Sequence, residues 1–116
     1  MVPRGGYDQG ASLGEPFVEA GMGSIAISRP GYLRTPISVG RTAEQQADAI
    51  AALLDALALE QVAAHGISGG GPAAIHFAAR HPDRITALLL TCAVSVGYPI
   101  IIPGWSKMLM TPWVCA

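Results

Sequence analysis

The sequence predicts an α/β fold, a parallel sheet with flanking helices in one domain, and three observations carry that prediction. Short apolar runs alternate with segments of helical periodicity in the order strand, helix, strand, helix, strand, which implies parallel strands joined by right-handed crossovers. A glycine-rich turn, Gly66-Ile67-Ser68-Gly69-Gly70, falls where a strand gives way to a helix. The composition of the 116 residues is 51% hydrophobic but only 13% charged, about half the usual charged share. That balance fits closely packed elements with little solvated surface, and the length fits one small domain rather than two.

The elements follow in order. Glu15-Pro16-Phe17-Val18-Glu19-Ala20 before Gly21 reads as the end of a short helix, because glycine commonly follows the last helical turn. Ser24-Ile25-Ala26-Ile27-Ser28 is a short apolar run closed by the turn signal Arg29-Pro30-Gly31, and is expected as the first strand. Thr42 with Gln45 three residues later fits a capping box, in which each side chain satisfies an orphaned backbone N–H. Behind it Ala47, Ile50, Ala51, Leu54, Leu57 and Ala58 recur at helical spacing, with Glu44, Asp48 and Asp55 off that face. Gln61-Val62-Ala63-Ala64-His65 is expected as the second strand, Gly70 to Arg80 as the next helix, stopped by His81-Pro82. Ile85 to Thr91 reads as a third, buried strand.

Several function classes fall away on composition. A net charge of −1 and a pI near 6.2 give no clustered basic surface for nucleic acid. Cys92 and Cys115 form no C-x-x-C pair and have no ligand neighbours at metal spacing, so they are expected as free thiols of a cytoplasmic protein. Arg4 has no apolar run behind it, so no signal peptide is expected. From Ile85 to Ser106 there is no charged residue, but Gly97, Pro99, Pro103 and Gly104 interrupt the stretch, which reads as strand plus loop rather than a membrane span.

A G-x-S-x-G string alone is weak; its position after a short strand and at the head of a helix is what a nucleophile elbow requires. There the chain reverses within a few residues and holds the serine in a strained backbone conformation, so Gly66 and Gly70 are expected to remove side chains that would collide. Gly71, Ala73 and Ala74 would let the helix lie close to the sheet. The result is an exposed hydroxyl at a helix N-terminus, where free N–H groups and the helix dipole favour negative charge. Ser68 is therefore the candidate nucleophile and the Gly69 N–H the candidate oxyanion donor.

Gly66-Ile67-Ser68-Gly69-Gly70-Gly71-Pro72-Ala73-Ala74, followed by His81-Pro82-Asp83-Arg84-Ile85, resembles the α/β-hydrolase fold superfamily, with its elbow serine, small-residue helix and "HPDR-hydrophobic" strand entry. Ser28-Arg29-Pro30-Gly31-Tyr32 resembles the family's "DRPGYG" segment, and Gly5-Gly6-Tyr7-Asp8-Gln9-Gly10 the end of its "HGxPGG" oxyanion loop. The matches span most of residues 5–95 in the family's order. The resemblance implies a partial α/β-hydrolase fold that cleaves an ester, amide or related acyl bond of a small molecule through an acyl-serine, with no metal or organic cofactor. The sequence departs from the family where Met1-Val2 stands for His-Gly, where Pro3 has no N–H to donate, and where Ser28 stands for Asp. The family's acid and histidine follow later strands, so residues 1–116 are expected as the N-terminal part of the domain, with 97–116 as the start of a cap region.

No residue within the chain reads as a substitute base or acid. His65 packs beside the turn, His76 lies two helical turns into the elbow helix, His81 belongs to the helix stop, Asp83 to a surface turn and Asp8 to a loop near the mouth. Without an adjacent base a serine hydroxyl is a weak nucleophile at neutral pH, so little or no turnover is expected from this chain alone. Two other readings stay open. Gly69-Gly70-Gly71-Pro72-Ala73-Ala74 formally fits the dinucleotide fingerprint G-x-G-x-x-A, although the next strand ends in Leu90-Thr91-Cys92-Ala93 without the acid that would hold the ribose. The other is a non-catalytic fragment whose exposed sheet edge pairs with another chain, itself included.

Overall fold

The computed structural model describes residues 6–94. The expected cap start at 97–116, Cys115, and the departures at Met1, Val2 and Pro3 lie outside the described residues. Five principal elements follow in the order α1 (Tyr7–Glu19), α2 (Ala43–Ala56), β1 (Val62–Ile67), α3 (Gly71–Arg80) and β2 (Ile85–Thr91), with 3-10 turns at Ile37–Val39, Ser68–Gly70 and Pro82–Arg84. β1 and β2 pair in parallel, from Val62 opposite Ile85 to Ile67 opposite Thr91, with one irregularity between Val62 and Ala63. The α/β class is therefore as expected.

α1 is longer than its sequence signal. Only its last turn is legible in the sequence, from Gly21, which takes φ +87 and closes the helix with its own N–H on the Val18 carbonyl and that of Met22 on the Phe17 carbonyl. The first turn absorbs Tyr7 to Gly10, so Asp8 is a helix residue rather than a loop residue. Helical spacing puts Gly10 and Gly14 on one face, and there the chain lies close: a Cβ on Gly10 would meet the Ala26 Cβ at 3.0 Å, and one on Gly14 would collide with the Ser24 Oγ. Two glycines cost helix propensity, and this close packing offsets it.

That contact also bears on the expected first strand. Among the described residues, 24–28 carry no ladder, because there β1 pairs only with β2 and the 24–28 segment is docked through α1. A strand exists only with a partner, and an apolar run alone does not supply one. The expectation that Ile85 to Leu90 is buried is corrected too: Leu88, Leu89 and Leu90 are 37–46% exposed. β2 has a pairing partner on one edge only among the described residues, which leaves these side chains without full cover.

α2 begins as its sequence dictates. The Gln45 N–H donates to Thr42 Oγ1 at 3.3 Å while Gln45 Oε1 accepts from the Thr42 N–H at 3.4 Å. Its apolar face buries Ala47, Ala51 and Leu54 against Phe77 of α3, with Ile50, Val62, Ala64 and Ile85 packed around them. Leu57 and Ala58, expected on that face, lie past the last turn. Ala58 takes φ +52, with its N–H on the Asp55 carbonyl and that of Leu59 on the Leu54 carbonyl, the position where glycine is the usual residue. Ala58→Gly removes a left-handed strain from a side chain that packs on nothing buried, and should raise stability by about 1 kcal/mol in urea unfolding; an unchanged or lower midpoint would contradict it.

Candidate active site

The site forms where β1 gives way to α3. Ile67 is still extended at φ −114, Ser68 swings to φ +49, and Ser68–Gly70 make one 3-10 turn before α3 starts at Gly71. A positive φ on a non-glycine residue is uncommon and costs about 1–3 kcal/mol, so the surroundings must enforce it. They do so from two sides. The Val94 N–H donates to the Ser68 carbonyl at 3.0 Å, and an Arg29 guanidinium N–H donates to the Gly69 carbonyl.

The first of these bonds also aims the candidate oxyanion donor. In a trans peptide the C=O and the following N–H point opposite ways, so fixing the Ser68 carbonyl toward Val94 turns the Gly69 N–H away from it. Ser68 is exposed, Gly69 half-buried, and both stand at the N-terminal end of α3, where the helix dipole favours negative charge.

The glycines divide differently from the sequence expectation. Gly66 is buried, and a Cβ there would come 2.8 Å from the Ala74 Cβ and 3.0 Å from Leu90 Cδ2. Gly70, expected to relieve a collision, has an ordinary φ of −80, and a Cβ added to it would meet nothing within 4 Å. The crowded partner is Gly71, whose Cβ would sit 2.6 Å from the Ala93 Cβ and 2.9 Å from the Val94 carbonyl oxygen. The reversal brings the helix's first residue, rather than the turn before it, against the chain leaving β2.

The histidines are all engaged elsewhere. His65 Nε2 lies 2.9 Å from Thr91 Oγ1, and its ring stands edge-on to Phe17. His76 faces Glu44 at 3.6 Å. His81 Nε2 lies 2.8 Å from Asp48 Oδ1, and Arg80 grips the same carboxylate with two bonds at 3.0 and 2.8 Å. The Arg80 bonds, then that of His81, pull the Asp48 carboxyl down to about 2. This cluster ties α2 to α3 on their outer side. Among the described residues none of the three histidines bonds to Ser68, and Asp83 contributes only its carbonyl, to Gln61.

Two residues that sequence reasoning does not place in the site complete it. Arg29 reaches the elbow from 40 positions away. Ser28 accepts the Tyr7 N–H at 3.1 Å, so the N-terminus of α1 is anchored next to Arg29. Ser28 thus serves as an acceptor for a helix N–H that Gly6, the residue before α1, has no side chain to satisfy. The only sequence signal for either is the Ser28-to-Tyr32 segment as a whole.

Two hollows flank these elements. An apolar cleft of about 290 Å³ runs between Ile27, Arg29 and Val39 on one side and Ile50, Leu53 and Ala73 on the other, behind the elbow helix. An open hollow of about 650 Å³ lies at the far ends of the strands, lined by Leu59, Glu60, Gln61 and Asp83. Arg84 crosses it to Asp55 at 2.7 Å and to the carbonyls of Leu59 and Glu60, which makes it a solvated seam remote from Ser68. No helix among the described residues is long and apolar enough to cross a membrane.

Comparison with known proteins agrees with the fold. A family model described as alpha/beta hydrolase fold matches residues 5–110. The uncharacterized hydrolase YcgS of Bacillus subtilis (strain 168) is 40% identical over 79 residues, 68% of this chain and 28% of that protein. The 2-hydroxy-6-oxononadienedioate/2-hydroxy-6-oxononatrienedioate hydrolase 1 of Dechloromonas aromatica (strain RCB) is 36% identical over 78 residues, 66% of this chain and 27% of that protein. Among solved structures, an alpha/beta hydrolase fold protein from Nakamurella multipartita superposes with a TM-score of 0.86 at 42% identity, over 96% of this chain and 39% of that one. The chain thus spans between a quarter and two fifths of the length of these relatives.

Proposed function

The chain belongs to the α/β-hydrolase fold family, and from that premise we propose that it is the nucleophile-bearing part of a serine hydrolase acting on an ester, amide or related acyl bond. One observation carries the reading. Ser68 is exposed at φ +49 on the head of α3, with its carbonyl held by Val94 so that the Gly69 N–H faces the other way. In the proposed reaction Ser68 Oγ attacks the substrate carbonyl carbon and its proton passes to a base. The negative oxygen of the tetrahedral intermediate accepts the Gly69 N–H, the leaving group departs with a proton, and water releases the acyl group. The base and its acid partner are proposed to come from outside residues 1–116, since the three histidines of the chain are engaged elsewhere, and this chain alone is proposed to be at most weakly active.

The relatives narrow the bond in question. Several are named as hydrolases of 2-hydroxy-6-oxo-dienoates, and one as a 2-hydroxymuconate semialdehyde hydrolase. A bond beside an oxo group presents the same electrophilic carbon and the same developing oxyanion as an ester does, so it belongs within the proposed substrate class. A cytoplasmic setting is proposed as part of the reading; among the described residues Cys92 is exposed and bonds to no other cysteine.

The test is covalent labelling of the purified chain with a fluorophosphonate probe, beside a Ser68→Ala control. Labelling is expected to be slow, and absent in Ser68→Ala. Labelling that persists in the control, or none at all in a folded wild-type sample, would remove the nucleophile assignment for this chain. Self-association through the open sheet edge is proposed alongside: the two-stranded sheet and exposed Leu88 to Leu90 invite pairing. Size-exclusion chromatography should show a larger species growing with concentration, and a monomer throughout would refute this.

A further inference from the structure

Arg29 is the residue of the site that the reaction above leaves unused, and its surroundings are specific. The backbone N–H of Tyr32 donates to the Arg29 carbonyl at 2.9 Å, and Gly31 at φ +86 closes the turn that launches the side chain. The guanidinium carbon then lies 5.0 Å from the centre of the Tyr32 ring, and one terminal nitrogen donates to the Tyr32 hydroxyl at 3.4 Å. The other terminal nitrogen donates to the Gly69 carbonyl. Both terminal nitrogens would stand 3.2 Å from a Cβ on Gly69, so the planar group lies flat against this glycine and would have to give by a few tenths of an ångström to admit a methyl group. Among the described residues Arg29 forms no ion pair.

We propose that Arg29 is a positioning residue of the elbow: by holding the Gly69 carbonyl it fixes the peptide unit after Gly69, while Val94 holds the unit that carries the oxyanion-donating N–H, so that Gly69 keeps the one conformation in which that N–H is presented. The inference rests on the Ser68 reading of the site. Glycine has no Cβ to restrict its backbone, so Gly69 takes its direction from outside. Val94 holds the peptide unit before Gly69 and Arg29 the unit after it, and only the two together determine both of its dihedrals. Among the described residues the Arg29 guanidinium has no carboxylate partner, so no ion pair competes with its bond to the Gly69 carbonyl. Stacking on Tyr32 keeps the guanidinium from turning away. Arginine suits this task because its rigid fork can bond Tyr32 and Gly69 at once, which an ammonium on a flexible stem does less well.

The experiment compares the wild-type chain, Arg29→Met and Arg29→Lys by two readouts. One is the rate constant of fluorophosphonate labelling; the other is the set of backbone NMR shifts of Gly69 and Gly70, with the amide signals of α2 and α3 as the control for folding. Arg29→Met is expected to slow labelling about tenfold or more, below the loss typical of removing a direct oxyanion donor. It should also move the Gly69 carbonyl and Gly70 amide shifts, and Arg29→Lys should recover part of both. A folded Arg29→Met that labels at the wild-type rate with unmoved Gly69 and Gly70 shifts overturns the proposal. If the wild type does not label but the shifts move in Arg29→Met and return in Arg29→Lys, the Ser68 reading fails for this chain and the positioning role stands. Should Arg29→Met not fold, Tyr32→Phe, which removes one guanidinium contact, must move the Gly69 carbonyl and Gly70 amide shifts from their wild-type values or the proposal falls.

Discussion

Gly71→Ala is expected to lower stability by about 2–3 kcal/mol and to slow labelling of Ser68 about a hundredfold. The added methyl would meet the Ala93 Cβ at 2.6 Å and the Val94 carbonyl oxygen at 2.9 Å. Neither atom is the free end of a flexible side chain, so relief requires the backbone after β2 to move. That movement carries Val94 with it, and the Val94 N–H is what holds the Ser68 carbonyl and aims the Gly69 N–H. One methyl group therefore acts on the fold and the site together. Gly70→Ala, one residue earlier, supplies the contrast: its Cβ meets nothing within 4 Å and its backbone is helical. That substitution should leave labelling intact and add about 0.4–1 kcal/mol by restricting the unfolded chain. Urea unfolding and labelling rates on the two variants check this. Equal effects at both positions would mean that the elbow tolerates or rejects bulk for reasons other than contact with residues 93 and 94.

The same pair of glycines shows how far the sequence is legible. The pattern Gly66-x-Ser68-x-Gly70 locates the turn, the strain on Ser68 and the exposed hydroxyl, because these follow from a strand becoming a helix within three residues. Which glycine is crowded depends on what passes beside the turn, and that is Ala93 and Val94, fixed by the register of β2. Local rules likewise capture the Thr42–Gln45 cap, the Gly21 stop and the bounds of β2, since each depends on residues a few positions apart. The 24–28 segment misleads because strand identity is a property of two segments, and the apolar run says nothing about whether a partner lies alongside. Arg29 is hidden for a related reason: an arginine in a turn is ordinary until the fold brings a carbonyl from 40 residues away to its fork. The start of α1 is masked by Gly10 and Gly14, whose poor helix propensity gives way to the close approach of Ser24 and Ala26.

Phe77→Ala carries the largest expected cost, about 3–5 kcal/mol, and should leave the chain without a cooperative fold at room temperature. Among the described residues the buried hydrophobic set is Ala47, Ala51, Leu54, Ala73, Ala74 and Phe77, and four of the six are alanines, which bury little area each. Phe77 is 1% exposed and the largest fully buried side chain, placed where α3 meets α2 and the strand residues Val62, Ala64 and Ile85. Whole domains hold a margin of only about 5–15 kcal/mol. A core this small, with Leu88 to Leu90 still uncovered, belongs toward the bottom of that range. The Asp48–Arg80–His81 cluster cannot replace the loss, because its groups lie at the surface where ion pairs contribute little. Phe77 also stacks on the His81 ring at 5.7 Å, so its removal loosens one arm of that cluster as well. Phe77→Leu, which keeps most of the volume, should retain the fold at reduced stability. Far-UV circular dichroism on heating separates the cases: a Phe77→Ala chain that melts cooperatively within a few degrees of wild type would mean that the α2–α3 packing is not what holds the elbow in place.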